Sequence, residues 1–380
     1  MLVKTFKYRL YPTKAQRRTL GQWPGACRWL YNKTLEVRKN SWEKDQTSLR
    51  LFQCNKLLTQ WKKDEPWLKQ VHSQVLQNVQ YRVDLAFQGF FRRLKEKKDK
   101  AGYPRFRGRH RYDSICFPQY PGGCFLEGST LKIRKIGDIK LNLHRPVEGR
   151  IKTTTIKETA TGKWFVCFSV EIDEGKSLPT STKAVGIDLG LTSFLTTDKG
   201  KKVPNPRFFR KEEQALAQVQ RRLSKAKKGT PARAKARKAV ARVHERIRNK
   251  RNNFAHKLSN YLVDHFGVIV FEDLNPSKMV KNHRLAKSIS DAAWSQVVQF
   301  TSYKAEEAGR KCVLINPAYT SQDCSRCGFR VKKKLSDRVH TCPACGLELD
   351  RDHNAALNIL RLGLQSLDTH PRSPCLQAGE

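Results

Sequence analysis

Two Cys-x-x-Cys pairs, Cys324-Ser-Arg-Cys327 and Cys342-Pro-Ala-Cys345, are separated by 14 residues, and a glycine follows each, Gly328 and Gly346. Four thiolates at this spacing form two knuckles around one tetrahedral Zn²⁺. All four positions are cysteine, so the site is closed and structural, with no open position for chemistry. Arg326, Arg330, Lys332, Lys333, Lys334 and Arg338 make the surrounding ribbon basic. The other cysteines (27, 54, 116, 124, 167, 312 and 375) lack metal spacing and read as buried or free thiols.

Three acids stand at the edges of apolar elements. Asp188 lies inside Val185-Gly-Ile-Asp-Leu-Gly190, a strand in which a charge is costly unless it is paired or bound to a metal. Glu272 follows Val268-Ile-Val-Phe271 at a strand's C-terminal end, and Asp352 opens the helix Asp350-Arg-Asp-His-Asn-Ala-Ala-Leu-Asn358. Carboxylates converging at sheet ends bind hard divalent cations through oxygen. Two such ions about 4 Å apart activate a water and stabilise the leaving oxygen of a phosphodiester. Taken singly, each acid also has a plainer role. Asp350 or Asp352 would serve as a helix N-cap, and Glu272 would pair with nearby cations.

The elements that must position these groups follow from the periodicity. Residues 2–10 alternate as a strand with Phe6, Tyr8 and Leu10 on one face, and Pro12-Thr13 ends it. From 13 to about 112 the spacing is helical: Ala26, Trp29, Leu30 and Thr34, a further helix at Leu57-Leu58, then Val71 through Phe90. Residues 113–173 return to strand alternation (Leu131, Ile133, Ile139, Leu141; Trp164, Val166, Phe168, Val170), which predicts a small barrel or sandwich. The strand at 2–10 would join it, making the helices an insertion. Residues 184–198 read as a hairpin in a buried sheet. Two basic helices follow, separated by Gly229-Thr230-Pro231, where Thr caps the second helix and Pro opens it. Their apolar stripe is too thin for a core. Ser288-Ile-Ser-Asp291 is expected to precede a helix through Trp294, Val298 and Tyr303. The tail beyond 362 has no periodicity and is expected to be disordered.

Composition bounds the partners. The 380 residues hold 75 Lys+Arg against 34 Asp+Glu, a net charge of +41. Self-repulsion on this scale calls for a polyanion. No apolar run approaches a membrane span, and residues 1–10 are too cationic for a signal peptide, so a cytosolic location is expected and a disulfide framework is not. Aromatics (7 Trp, 10 Tyr, 18 Phe) argue against disorder. Segment 201–257 has 20 cations and three acids, and Arg92–Arg111 has ten cations and two acids, so 77 residues carry 25 of the 41 excess charges. The second segment interleaves Tyr103 and Phe106 with arginines, which fits a loop on a phosphate backbone, although a solvated helix end has the same charge.

In their order along the chain, the Asp188 strand, Phe-Glu272-Asp-Leu, the four cysteines and Asp-Arg-Asp352-His-Asn-Ala-Ala-x-Asn-Ile resemble the TnpB (OrfB) family of bacterial and archaeal insertion sequences. Arg9-Leu-Tyr-Pro-Thr, Gly102-Tyr-Pro-Arg-Phe-Arg, Ser288-Ile-Ser-Asp-Ala-Ala-Trp294 and Thr320-Ser-x-x-Cys extend the resemblance over nearly the whole chain. It implies a mixed α/β and α+β multidomain fold. A β-barrel wedge domain would occupy 1–12 and 113–180, and a helical recognition domain 13–112. An RNase H-like (RuvC) nuclease domain would occupy 181–319 and 348–362, with a zinc ribbon inserted at 320–347 and the tail at 363–380.

The implied activity is RNA-guided cleavage of double-stranded DNA next to a short adjacent motif, related to type V CRISPR effectors. Asp188, Glu272 and Asp352 would hold Mg²⁺ or Mn²⁺, and a guide RNA from the transposon end would direct the protein, alongside a separate transposase. Such a protein would work in the bacterial or archaeal cytosol, at the nucleoid when bound to DNA. Nucleic-acid contacts are expected at Arg105, Phe106, Arg107, Arg221, Arg222, Lys227, Lys228, Arg246 and Lys250. Gln77 joins them if its amide reads an adenine edge rather than facing solvent. An RNA-guided or direct DNA-binding protein (a repressor) that does not cut and a transposase remain as alternatives. The intact acids favour cutting over the repressor, but an RNase H-like transposase would share them.

Overall fold

The computed structural model describes residues 2–96, 101–108, 111–173, 177–334 and 337–369. It divides into two compact units, Met1–Glu174 and Gly175–Glu380.

In the first unit, strand β1 (Leu2–Tyr11) leads into α1 (Lys14–Asp45), α2 (Leu51–Asp64), a 3₁₀ turn at Pro66–Gln70 and α3 (Ser73–Lys95). Thr13 accepts from the Gln16 N–H and the Gln16 side chain answers at the Thr13 N–H, a capping box that starts α1. Six strands follow: β2 (Ser114–Phe117), β3 (Cys124–Glu127), β4 (Thr130–Ile133), β5 (Gly137–Asn142), β6 (Arg150–Glu158) and β7 (Trp164–Ile172). They form a nearly barrel-shaped antiparallel sheet of order β2-β6-β7-β1-β5-β4-β3. β1 sits at its centre, pairing with β7 from Leu2↔Ile172 to Leu10↔Trp164 and with β5 at its far end. Phe6, Tyr8 and Leu10 point into one continuous buried cluster with Trp23, Leu30, Val79, Phe117 and Phe168, so the helices and the sheet share a core. Of the segment Arg92–Arg111, residues to Lys95 continue α3 and 101–108 have no regular structure. Residues 97–100 and 109–110 lie outside the described residues.

The second unit opens with β8 (Ala184–Leu189), β9 (Ser193–Thr197) and β10 (Lys202–Pro204), then α4 (Phe208–Lys225) and α5 (Pro231–His265). Next come β11 (Val268–Glu272), α6 (Pro276–Met279), α7 (His283–Ala292), α8 (Trp294–Glu307) and β12 (Lys311–Ile315). The ribbon strands β13 (Val339–Thr341) and β14 (Glu348–Asp350) precede α9 (Arg351–Thr369). Sheet order is β10-β9-β8-β11-β12, with β8, β11 and β12 parallel and β9 and β10 antiparallel, the RNase H-like arrangement expected. α9 lies directly on β8. A Cβ at Gly186 would stand 2.3 Å from the Ala356 carbonyl oxygen, so only glycine permits this approach.

Three expectations need correction here. Thr230 and Pro231 do open α5, but its C-terminal half is not solvated: Ala255, Leu262 and Val263 join the core with Phe194 and Trp294. The outer half keeps only a small cluster with Leu216, Val243 and Ile247. Ser288–Asp291 is itself the end of α7, and Ala293 in a left-handed conformation (φ 55°) separates it from α8. Helix α9 runs on to Thr369, past the expected boundary at 362, because Ile359, Leu360 and Leu362 pack on β11 and β12. Residues 370–380 lie outside the described residues.

Candidate active site and metal centre

Each of the three acids is set by a different element. Asp188 is the fifth residue of β8, Glu272 is the last of β11, and Asp352 is in the first turn of α9. The β8·β11 pairing runs Ile269↔Val185 to Phe271↔Ile187, which brings Asp188 and Glu272 to the same end of the sheet. Asp188 and Asp352 are half-buried and Glu272 is buried. Burial, then the charges of Glu272 and Asp352, push the Asp188 carboxyl well above the usual carboxylate range. Burial also raises Glu272, against a hydrogen bond from Thr320 and the nearby Arg351. Thr320 Oγ1 donates to Glu272 Oε1 at 2.5 Å.

The capping role falls to Asp350. Its carboxylate accepts from the N–H groups of Asp352 and His353, both at 3.1 Å, and pairs with Lys202 at 2.7 Å. Burial opposes its ionisation, yet these contacts hold the Asp350 carboxyl below its ordinary value. The Asp352 carboxylate is thereby left free of capping. Among the described residues, no cation stands within ion-pair distance of Asp188, Glu272 or Asp352.

The cysteines are tighter. The four Sγ atoms all lie within 4.8 Å of one another, with Cys324–Cys345 and Cys327–Cys342 at 3.6 Å. A tetrahedron with Zn–S of about 2.3 Å has edges of about 3.8 Å, so the set fits zinc. Each knuckle closes with a backbone bond to its glycine, Gly328 N–H to Cys324 and Gly346 N–H to Cys342, both 2.9 Å, and both glycines have positive φ (78° and 68°). The three acids do not make a comparably tight group among the described residues. Arg351 acts on Asp188 and Glu272 from nearby, lowering both, but burial outweighs it and both carboxyls stay raised. As a donor set they fit Mg²⁺: all are hard carboxylates, and a divalent cation offsets both the burial and the like charges that raise Asp188.

The expected nucleic-acid residues Gln77, Arg105, Phe106, Arg107, Arg221, Arg222, Lys227, Lys228, Arg246 and Lys250 are all exposed, and they divide by their partners. Arg105, Phe106 and Arg107 border a cavity of about 370 Å³ with Tyr31, Arg93 and Tyr103. The Arg107 backbone is clamped by Asn32, and its guanidinium lies 5.3 Å from the Tyr31 ring centroid. Arg246 and Lys250 differ from the rest. Both bond the single carboxylate of Glu212 at 2.9 Å, tying α5 to α4. Asp291 at the end of α7 caps α4 through the N–H groups of Phe209 and Arg210, and pairs with Arg251 at 2.7 Å. Asn354 and Asn358 are buried on α9, and their i, i+4 spacing on a helix that packs against the sheet is the sequence signal for them.

Three family profiles match the chain. "Probable transposase", the OrfB family of IS605, covers residues 167–283, and "Cas12f1-like, TNB domain" covers 294–359. "Helix-turn-helix domain" covers 1–47, where the structure has β1 and one continuous helix rather than two helices about a turn. A Streptomyces pristinaespiralis protein is 38% identical over 369 residues, 95% of this chain and 89% of that protein. Escherichia coli K12 InsQ is 29% identical over 95% of this chain and 92% of its own length. Both carry the name "Putative RNA-guided DNA endonuclease". The solved mini-RNA-guided endonuclease CRISPR-Cas_phi3 has the same fold at a TM-score of 0.50 and 11% identity, covering 99% of this chain and 94% of that one.

Proposed function

The chain belongs to the TnpB (OrfB) family of IS605-type elements, and we infer from this that it is an RNA-guided DNA endonuclease whose cutting site is Asp188, Glu272 and Asp352. What supports the site is geometry: the β8·β11 register brings Asp188 and Glu272 to the same end of the sheet, and α9, which carries Asp352 in its first turn, packs directly on β8.

Asp188, Glu272 and Asp352 would hold Mg²⁺. When bound, the ion supplies Lewis acidity that activates a water and offsets charge on the leaving oxygen. The protein's own groups prepare the place. The sheet pairing holds Asp188 beside Glu272, Thr320 orients one lobe of Glu272, and Asp350 takes the capping duty so that the Asp352 carboxylate stays available. The exposed cations of α4 and α5 would grip guide RNA and the heteroduplex through their backbones, where base pairing carries the sequence. The sheet of the first unit would be the wedge, α1–α3 the recognition helices, the sheet of the second unit the RuvC-like nuclease, and residues 320–347 the zinc ribbon. Among the described residues no helix is long and apolar enough to cross a membrane.

The test is cleavage of matched double-stranded DNA by the protein loaded with its guide RNA. Asp188→Ala should abolish cutting and leave target binding intact. Cleavage by that variant at the wild-type rate overturns the site.

A further inference from the structure

We propose that the zinc ribbon holds Glu272 in its working orientation through Thr320, with Asn354 and Asn358 of α9 as the struts, so that the ribbon sets cleavage rate and not only its own fold. This rests on the reading of Glu272 as a metal-holding carboxylate.

The chain of contacts is short. Thr320 is 4% exposed, and its hydroxyl lies 2.5 Å from Glu272 Oε1 and 3.2 Å from the Pro317 carbonyl. The carboxylate is the stronger acceptor, so the hydroxyl donates its one hydrogen bond there. The Thr320 carbonyl accepts from Asn358 Nδ2 at 2.9 Å, and the same amide donates to Asp323 O at 2.7 Å. One turn earlier, Asn354 Nδ2 donates to Asp323 O at 2.8 Å while its Oδ1 accepts from the Ser325 N–H at 2.9 Å. Asp323 and Ser325 flank Cys324, so the turn that aims a zinc thiolate is the turn that the two asparagines grip.

Both amides are buried, Asn354 at 0% and Asn358 at 1% exposure, and both are hydrogen-bonded at oxygen and nitrogen. A buried polar network that is satisfied this fully specifies one arrangement, whereas apolar side chains of similar volume would fill the space without fixing it. The ribbon's other end is tied to the same helix. The Arg351 N–H donates to Arg338 O at 2.8 Å and its guanidinium to Lys334 O at 3.2 Å, one residue before Asp352. The ribbon therefore bears on two of the three acids, on Glu272 through a hydroxyl and on Asp352 through the start of its helix.

The experiment compares Thr320→Val, Thr320→Ser and Glu272→Gln in the full chain loaded with zinc and its guide RNA. It reads zinc content, target binding, single-turnover cleavage and the Mg²⁺ concentration for half-maximal rate. Groups that orient metal ligands change activity or metal affinity by about 10–100-fold when lost. Thr320→Val should keep zinc and target binding, cut about 10–100-fold more slowly and need more Mg²⁺, and Thr320→Ser should restore both. A wild-type rate and Mg²⁺ requirement in Thr320→Val overturn the proposal. So does loss of zinc or target binding together with cleavage, because Thr320 would then act only on the fold. Continued cutting by Glu272→Gln overturns the acid site itself, whereas an inactive Glu272→Gln beside a wild-type-like Thr320→Val removes only the ribbon's role.

Discussion

Gly186 and Ala356 hold β8 and α9 at backbone contact: a Cβ at 186 would meet the Ala356 carbonyl oxygen at 2.3 Å and the Leu360 nitrogen at 2.6 Å. Asp188 lies two residues along that strand and Asp352 one turn before Ala356, so this approach sets the spacing between two of the acids. Gly186→Ala must push the helix off the sheet, at about 1–3 kcal/mol for overpacking. The expected result is a Tm lower by about 2–12 °C, with slower cleavage. Differential scanning calorimetry and a cleavage assay check it, and an unchanged Tm and rate would show that the helix has room.

Asp188 makes the metal-free protein sensitive to pH. Its folded carboxyl keeps its proton to higher pH than the unfolded one, chiefly through burial and then through Glu272 and Asp352. Above the ordinary carboxylate pKa the folded state binds more protons than the unfolded state, so stability declines as pH rises through that window. In EDTA at neutral pH, Asp188→Asn should therefore melt a few degrees above wild type, and the gap should shrink near pH 4. Mg²⁺ should raise the wild-type Tm and not the variant's. A variant that melts below wild type in EDTA at pH 7 contradicts the account.

Zinc removal should act at a distance from the cysteines. The free energy of a structural zinc, about 10–16 kcal/mol in small peptides, is mostly folding free energy. Cys327→Ser/Cys342→Ser should bring zinc from one per chain to none by elemental analysis. Loss of the ribbon also releases the partners of Asn354 and Asn358, so cleavage should drop by about 10–100-fold while guide RNA is retained. Full zinc occupancy in the double variant would rule out the four-cysteine site.

Asp291 is a joint between the basic hairpin and α7, 4% exposed at its side chain and paired with Arg251. Asp291→Ala leaves a guanidinium unpaired and two N–H groups at the start of α4 uncapped, at about 3–5 kcal/mol. Asp291→Asn should lose less, since its amide oxygen can still accept from Phe209. Thermal melts of both variants check the order, and guide-RNA affinity should fall with stability.

Much of this architecture is legible from local pattern. Alternation at Phe6, Tyr8 and Leu10 marks a strand face, Thr230-Pro231 marks a helix start, and two Cys-x-x-Cys knuckles mark a metal cluster, because each signal is complete within a few residues. What the pattern leaves out is the partner. Nothing near Phe6 says that its face will close on Trp23 and Phe168 in one core with the helices. Arg246 and Lys250 look like any other cations of the hairpin until Glu212, more than 30 residues earlier, is seen between them. The same holds at the site. Asp350 and Asp352 are equivalent candidates for the cap by sequence, and the choice follows from where α9 starts: Asp350 precedes its first residue and reaches the N–H groups of Asp352 and His353. Thr320 and Glu272 are 48 residues apart and meet only through the fold.

The central place of β1 has a consequence for synthesis. It leaves the ribosome before its partners on both sides, β5 and β7, and Leu2 waits for Ile172. At about 5–20 residues per second, that interval is roughly 10–30 s. Until then the nascent chain holds an apolar strand face with helices beside it and no sheet to enter. Acquisition of protease resistance by the first unit should thus be a single late event, timed by β7 rather than by the helices made long before it.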